Sequence, residues 1–297
     1  MIDYLTVLGN FDTSFIETGL YSNGYFDLYN VGTKDLNGQI SESRVSVVDN
    51  SSGKDQIYEL QYSPGVGILN SSTPLLPGCE VKLSFDRANI RLALIQKTLD
   101  EIEITEKLLL TNLYCKARYY SSPYLRTLFA SIQDNDIHYH YDECSVYLKN
   151  LPKGETNIRL NNVIGGSTPS HLFCGIIKSE ALAGDLKLNA TRFQRHGVKE
   201  FDLQLNGFSC SGFPIQNTNG SALPTFMKWL QTTNRKFNTN CGQQLSPIDF
   251  KNFHYIYSHE FDGDQTEQGW IGMELKLEKA YEANYTLGLK LRLLFHI

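Results

Sequence analysis

Apolar and polar residues alternate with a period of two along much of the chain. The C-terminal part shows this best, with two runs of alternating apolar positions: Ile271, Met273, Leu275 and Leu277, and then Leu287, Leu289, Leu291, Leu293 and Phe295. Because successive side chains of a strand point to opposite faces of a sheet, each run predicts a strand with one buried and one wet face. A short polar connection, residues 279–284, separates the runs, so we predict that they pair as an antiparallel hairpin.

The same alternation predicts about a dozen strands in the whole chain. The further candidates are residues 25–31, 44–48, 56–62, 81–85, 90–95, 113–117, 137–148, 172–177, 201–205 and 253–258. The dipeptide Asn206-Gly207 after one of them is typical of a tight hairpin turn. Polar residues interrupt these runs, which argues against a parallel α/β sheet, whose buried strands read as continuous apolar stretches.

Two short helices are predicted between the strands. In the first, Ser122 is placed to cap, Pro123 suits the first turn, and the apolar residues recur at helical spacing: Leu125, Leu128, Phe129 and Ile132. The second runs from about Leu223 to Thr232, has Pro224 in its first turn, and carries three apolar residues on one face: Phe226, Met227 and Leu230. Both are too short to form a helical layer.

Many alternating strands and few helices predict an all-β fold, namely a jelly-roll β-sandwich with two short helical insertions. The first 50 residues are punctuated by glycines and show less alternation. We therefore divide the chain into an N-terminal arm or lead-in strands, residues 1–50, and a jelly-roll domain, residues 51–297.

Composition and charge exclude several classes of protein. With 297 residues, 41% hydrophobic and 20% charged, the chain can bury a sizeable core, and it is neither disordered nor membrane-embedded. The net charge of −5 argues against a surface built to grip nucleic acid. No apolar run is long enough for a spanning helix, and the first residues lack a signal-peptide pattern, so we expect neither a membrane span nor export.

The six cysteines predict free, mostly buried thiols rather than a metal or disulfide framework. They lie at 79, 115, 144, 174, 210 and 241, and no two of them form a C-x-x-C pair. Cys115, Cys144 or Cys174 with a distant histidine would make a nucleophile pair, but any chain with six cysteines and seven histidines permits that pairing. We predict no catalytic residue, and the protein is not expected to be an enzyme.

Two clusters resemble the start of a metal site. On a strand, His138, His140 and Asp142 would share one face, which suits a transition metal if further ligands come from elsewhere. The loop with Asp262, Asp264 and Glu267 carries the oxygen ligands that calcium prefers. The favoured interpretations are a solvated strand or subunit contact for the first and an ordinary acidic loop for the second, so we predict no metal and no cofactor.

Two glycine-containing motifs carry no chemistry in this sequence. Gly165-Gly166-Ser167 lacks the lysine of a phosphate-binding loop and is predicted to be a turn. The segment 207–212 lacks the G-x-S-x-G spacing of a nucleophile elbow and lies in a predicted hairpin.

Basic and aromatic residues are interleaved at 114–120, and Lys228-Trp229 is followed by Arg235-Lys236. Such stretches stack bases and neutralise phosphates in nucleic-acid-binding proteins. Solvated strand faces and subunit contacts have the same composition, and the overall charge is negative. We therefore expect no specific nucleic-acid partner.

From about residue 56 to the end, the chain resembles the C-terminal half of the major capsid proteins of Polinton/Maverick elements and adintoviruses. The resemblance is carried by the order and spacing of five stretches: 76–83, the strand-to-helix join 113–125, 172–177, 201–207, and the C-terminal pair of strands. The family implies jelly-roll folds, self-assembly into an icosahedral shell, and no catalysis. It also implies residence in the virion after assembly inside the host cell, with other capsid proteins as partners.

The resemblance leaves the oligomer open. Family members usually carry two jelly rolls and form trimers, whereas about 55 residues precede the matching stretch here. We therefore expect copies of the chain to form trimeric, pentameric or hexameric capsomers, and a penton or minor capsid role with a single roll is the alternative. A carbohydrate- or receptor-binding β-sandwich module is a second class, and a cupin-like metalloenzyme using His138 and His140 is a third.

Overall fold

The computed structural model describes residues 75, 78–84, 114 and 140–296, the last range without 186–187, 191, 218–219, 234–246 and 262–267. The predicted arm at 1–50, the first predicted helix and the predicted strands before residue 137 lie outside the described residues, except for 81–84 and Tyr114. These described positions of the predicted strands 81–85 and 113–117 are not in a strand, so the prediction is wrong there. The strands are β1 (His140–Leu151), β2 (Asn157–Ser167), β3 (His171–Lys178), β4 (Val198–Leu205), β5 (Phe208–Ser209), β6 (Ile215–Gln216), β7 (Ile256–Glu260), β8 (Gln268–Leu277) and β9 (Tyr285–His296), and the helices are α1 (Ser179–Ala183), α2 (Leu223–Thr232) and α3 (Pro247–Phe253).

The strands form two antiparallel sheets. Sheet 1 has the order β1-β9-β3-β7, and sheet 2 has the order β2-β8-β4-β5, with β6 also paired to β4. Helices are few and short, so the prediction of an all-β fold is confirmed for the described residues. The predicted turn after β4 is also confirmed, because Asn206 and Gly207 both have positive φ, as a tight hairpin turn requires.

The predicted hairpin between the last two strands is wrong. β8 pairs with β2 and β4 in sheet 2, whereas β9 pairs with β1 and β3 in sheet 1. The connection crosses from one sheet to the other, and Tyr281 is buried in it. Alternation predicts that a strand is half-buried, but it says nothing about the strand's partner, and two strands facing one core from opposite sides give the same pattern as a hairpin.

The two sheets pack face to face around one core. Phe201 of β4 stacks on Tyr257 of β7, with ring centroids 4.1 Å apart and ring planes within 16°. Leu275 of sheet 2 and Leu289 of sheet 1 are fully buried in the same hydrophobic cluster. This inter-sheet layer makes the described region, residues 140–296, a β-sandwich.

β3 differs from an ordinary half-buried strand because both of its faces are covered. Leu172 faces sheet 2, since it lines a cavity with Phe201, and Gly175 points the other way, by alternation. The fully buried Phe193 lies on that second side, where its Cδ1 atom would be only 2.3 Å from a Cβ at position 175. Glycine at 175 therefore lets the segment around Phe193 pack directly on the outer face of sheet 1.

β2 escapes sequence-based prediction because its alternation is broken. Its pairing with β8 shifts register between Leu160 and Ile164, and Asn162 in this irregular stretch has a φ of 49°. Gly165 and Gly166 continue the strand, opposite Trp270 and Gly269. The prediction that Gly165-Gly166-Ser167 forms a turn is wrong, because these residues pair with β8.

The second predicted helix is confirmed as α2, with the same bounds. Its buried face differs from the prediction: Phe226 is buried, whereas Met227 is exposed, Leu230 is only partly buried, and Trp229 lies in the core. Two further helices, α1 and α3, were not predicted. α3 ends at Phe253, so the predicted strand 253–258 begins three residues later, as β7.

Candidate functional site

The structure does not bring the predicted metal ligands together. His138 and the acidic loop 262–267 lie outside the described residues, and His140 and Asp142 are placed only as backbone positions of β1, opposite His296 and Leu294 of β9. Within the part of the chain that the structure describes, no three metal-ligating side chains form a group.

The four described cysteines are free thiols, as expected, but the expectation that most are buried is wrong for them: Cys174 is buried, whereas Cys144 and Cys210 are half-buried and Cys79 is exposed. Cys174 is fully buried in β3, and burial raises the pKa of its thiol well above the usual value. Burial, together with the nearby Asp202 carboxylate, also raises the pKa of Cys210, to about 11. Because the thiolate is the reactive form, neither group is poised as a nucleophile near neutral pH.

The second basic and aromatic cluster is unsuited to base stacking. The indole of Trp229 lies in the core, where it packs against Phe226 and Phe250 with ring centroids 5.8 and 5.5 Å away. An aromatic ring in the core offers no face to a nucleobase. Arg235 and Lys236 lie outside the described residues.

A buried polar network fixes α2 against the sandwich. Asn217 is at its centre: its side-chain oxygen accepts hydrogen bonds from Tyr255 (2.8 Å) and Thr225 of α2 (3.0 Å). Its amide nitrogen donates to Tyr257 of β7 (3.3 Å) and to the carbonyl of Val198 in β4 (3.4 Å). Burial raises the pKa of both tyrosine hydroxyls. Because these residues satisfy one another's hydrogen-bonding groups, the network has a structural role. It fixes the position of α2 on the sandwich.

Apolar side chains are left uncovered on the edge strand β1. Among the described residues β1 pairs with β9 alone, over twelve residues from His140 to Leu151. Tyr147 and Leu148 point to opposite faces by alternation, and 41% and 54% of their surfaces are exposed. Edge strands offer unpaired backbone groups to another chain. Within the described part of the chain β1 is such an edge, and it carries two exposed apolar side chains.

Further apolar side chains are exposed on the helices. Leu223 and Met227 lie one turn apart on the outward side of α2, and Ile248 is exposed on the neighbouring α3. Phe208 and Phe213, with 80% and 82% of their surfaces exposed, lie in and after β5 at the edge of sheet 2. Scattered exposed apolar residues are common, but several on one edge and one helix pair are typical of surfaces that contact another protein.

The cavity between the sheets is too small for a substrate. It is lined by core and edge residues, among them Leu172, Leu203, Phe213 and His259. Its volume of about 10 Å³ corresponds to roughly one water molecule. This cavity offers no room for a small-molecule reaction site.

The outer face of sheet 2 is polar, and its charges are paired across strands. Arg159 of β2 donates to Glu274 of β8 at 3.2 Å, and Lys276 of β8 donates to Glu200 of β4 at 2.8 Å. The bond to Lys276 lowers the pKa of Glu200 and raises that of Lys276. This face therefore presents donors and acceptors without a strong excess of either charge.

Two histidines are held neutral inside the fold. Burial, with the Lys178 and Arg192 cations nearby, lowers the pKa of His196 to about 4. Burial also lowers the pKa of His254 to about 4, although the Asp249 carboxylate opposes the shift. Neither imidazole carries charge near neutral pH.

No protein-family model matches the chain, and no curated protein matches it. No helix among the described residues is both long and apolar enough to cross a membrane.

The exposed apolar surfaces are not evident from the sequence pattern. Tyr147 and Leu148 lie within a predicted strand, and two adjacent apolar residues on an otherwise mixed strand were the available signal. That β1 is an edge strand depends on the strand order, which alternation does not encode.

Proposed function

We propose that this chain is a structural capsid protein that self-assembles into capsomers of an icosahedral shell, built by a DNA virus or a virus-derived Polinton-like element. The proposal includes residence in the virion after assembly in the host cell, and no catalytic activity. Within this proposal, a major capsid protein is the first choice. The alternative is a penton or minor capsid protein with a single jelly roll.

The observation that carries the proposal is the strand order. In an eight-stranded jelly roll, the first, eighth, third and sixth strands form one sheet, and the second, seventh, fourth and fifth form the other. If β5 and β6 count as the two halves of one fifth strand, the orders β1-β9-β3-β7 and β2-β8-β4-β5 follow this scheme. The order thus supports a jelly roll for residues 140–296.

A jelly roll alone does not select a capsid, since lectins and cupins share it. The uncovered apolar side chains on β1, Tyr147 and Leu148, support self-association. In this proposal β1 is the edge along which neighbouring copies meet.

The test is the mass of the full chain in dilute solution at low and high salt, by native mass spectrometry, with negative-stain microscopy of the same sample. We expect rings, capsomers or shells containing three, five or six copies per unit. A strict monomer under both conditions would overturn the proposal.

A matched pair of variants tests the role of β1. Leu148→Lys places a charge on the edge strand, and Leu223→Lys makes the same change at a similarly exposed leucine on α2. We expect Leu148→Lys to dissociate the assembly and Leu223→Lys to leave it intact. Dissociation by Leu223→Lys alone would assign the contact to the helices and contradict the β1 edge.

A further inference from the structure

Trp270 lies on the outer face of sheet 2, away from the core. It precedes Ile271, which is buried, and so points to the opposite side of β8. Its indole lies over Gly272, two residues along the strand, with Cζ3 2.9 Å from where a Cβ at 272 would be. The ring also reaches the turn after β4, where its Cζ2 is 3.6 Å from the Cβ position of Gly207.

The neighbours of Trp270 leave the ring partly open to solvent. Gly165 is its cross-strand partner on β2, and the indole itself is half-buried. The indole ring of Trp270, called the plate below, therefore packs flat against the backbone at Gly272. The neighbouring outward side chains of sheet 2 are polar.

A fixed row of polar groups runs beside the plate. Gln204 is opposite Gly272 and donates to the Asp202 carboxylate at 3.0 Å, and Ser209 donates to the other oxygen of Asp202. Asp202 is in turn opposite Glu274, which holds Arg159. From Trp270 to Glu274 the strand spans about 13 Å, so plate and polar row form one elongated surface.

We propose that this surface binds a neutral oligosaccharide, with one sugar ring stacked on Trp270 and the next hydrogen-bonded by Gln204 and the Asp202–Glu274 pair. Sugar rings have an apolar C–H face that packs on an aromatic plane, and a rim of hydroxyls that both donate and accept. The surface offers that combination in that order along β8.

The charges select a neutral ligand. Arg159 and Lys276 on this face are each bonded to a carboxylate. The exposed Lys199, beside Glu200, lies beyond the Glu274 end of the row.

An anionic glycan or a phosphate backbone would have to displace the carboxylates of both ion pairs, and it would be repelled by the Asp202 carboxylate, which is bonded by the neutral side chains of Gln204 and Ser209. A neutral chain needs no such rearrangement.

The inference does not depend on capsid assembly, because the plate is on sheet 2 and the proposed contact edge is on sheet 1. It is tested on the full chain by titration with maltohexaose, cellohexaose and chitohexaose, and with a heparin-derived hexasaccharide as the acidic probe. The readouts are calorimetry and tryptophan fluorescence, to which the buried Trp229 contributes a constant background.

We expect saturable binding of at least one neutral hexasaccharide and a blue shift of the Trp270 emission. Trp270→Ala is expected to weaken that binding by about tenfold or more. Ile248→Ala, which removes an exposed apolar side chain from α3, is expected to leave it unchanged.

Glu274→Gln, which keeps the shape of the side chain, is expected to weaken binding without unfolding the protein. This variant tests the binding site if Trp270→Ala does not fold. The absence of binding up to millimolar concentration, binding of the acidic probe alone, or affinity that survives Trp270→Ala and Glu274→Gln would each overturn the proposal.

Discussion

The two sheets of the sandwich differ in what covers their outer faces. In sheet 1, β3 is covered on both sides, because Phe193 packs on Gly175 where a side chain would clash. In sheet 2, β8 buries one face, and its other face carries Trp270, Glu274 and Lys276. The difference indicates that the outer side of sheet 1 contributes to stability, whereas the outer side of sheet 2 is free to carry a ligand.

The largest difference in stability is expected between substitutions of the two tryptophans of the chain. Trp229→Ala is expected to lower the free energy of unfolding by about 4 kcal/mol, since it opens a cavity among core rings. Trp270→Ala is expected to cost about 1 kcal/mol, because the indole is already partly in water. Denaturant unfolding of both variants measures the difference, and equal losses would contradict the assignment of Trp270 to an open face.

Acid is expected to destabilise the fold through the two neutral histidines, both of which pack near sheet 1. His196 packs on Tyr285 of β9 at 4.6 Å, and His254 forms a bridge with Phe193. Their pKa values are about 4 in the folded protein, whereas an unfolded histidine titrates near 6.5. The unfolded state therefore takes up more protons between these values, so stability is full above about pH 6.5 and falls as the pH approaches 4.

The expected loss between pH 7 and pH 4 is about 3 kcal/mol for each histidine, and therefore about 6 kcal/mol for the pair. It is measured by urea unfolding at several pH values. His254→Gln is expected to flatten the pH dependence by about half, and an unchanged slope in that variant would rule out His254 as a contributor.

The two outer glycines give a smaller contrast. Gly175→Ala forces a Cβ into the ring of the fully buried Phe193, and we expect a loss of about 2 kcal/mol in the free energy of unfolding. Gly272→Ala meets the ring of Trp270, which can swing towards solvent, and approaches the backbone carbonyl of Leu160 to 3.3 Å, so its cost is expected to be smaller, about 1 kcal/mol. Thermal and urea unfolding compare the two, and a larger loss for Gly272→Ala would reverse the contrast.

The smallest effect is expected at the surface ion pair of sheet 2. Arg159→Ala removes a side chain that is mostly in solvent, and its cost is expected to be less than about 0.5 kcal/mol. In the same variant, oligosaccharide affinity reports whether Arg159 orients Glu274. A stability loss comparable to that of Gly175→Ala would show that the polar face contributes to the fold after all.

The local pattern of apolar residues was sufficient to predict those strands and helices whose structure depends mainly on their own sequence. Alternation found β3, β4, β8 and β9, and helical spacing with Pro224 found α2 at its observed bounds. It failed at β2, where a register shift breaks the alternation. It also failed for Met227, which was expected on the buried face of α2, because a short helix is rotated by what it packs on rather than by its own sequence.

The candidate sites were less predictable. Asn217 is an ordinary loop residue in the sequence, and its four side-chain hydrogen bonds come from segments 8 to 40 residues away. The sequence does not mark Trp270 as a site residue, because the two glycines near its ring, Gly207 and Gly272, lie in a turn and in a strand that meet only in the folded sheet.

By itself, the sequence determined that this chain is built of half-buried strands, because the period of two is written in neighbouring residues and the hydrophobic effect acts on each strand separately. Only the tertiary structure decided which strand lies beside which, and therefore that β8 and β9 belong to opposite sheets, that β1 is an edge, and that Trp270 faces outward. Pairing brings together residues far apart in the chain, and that choice depends on the energy of the whole core rather than on any one segment.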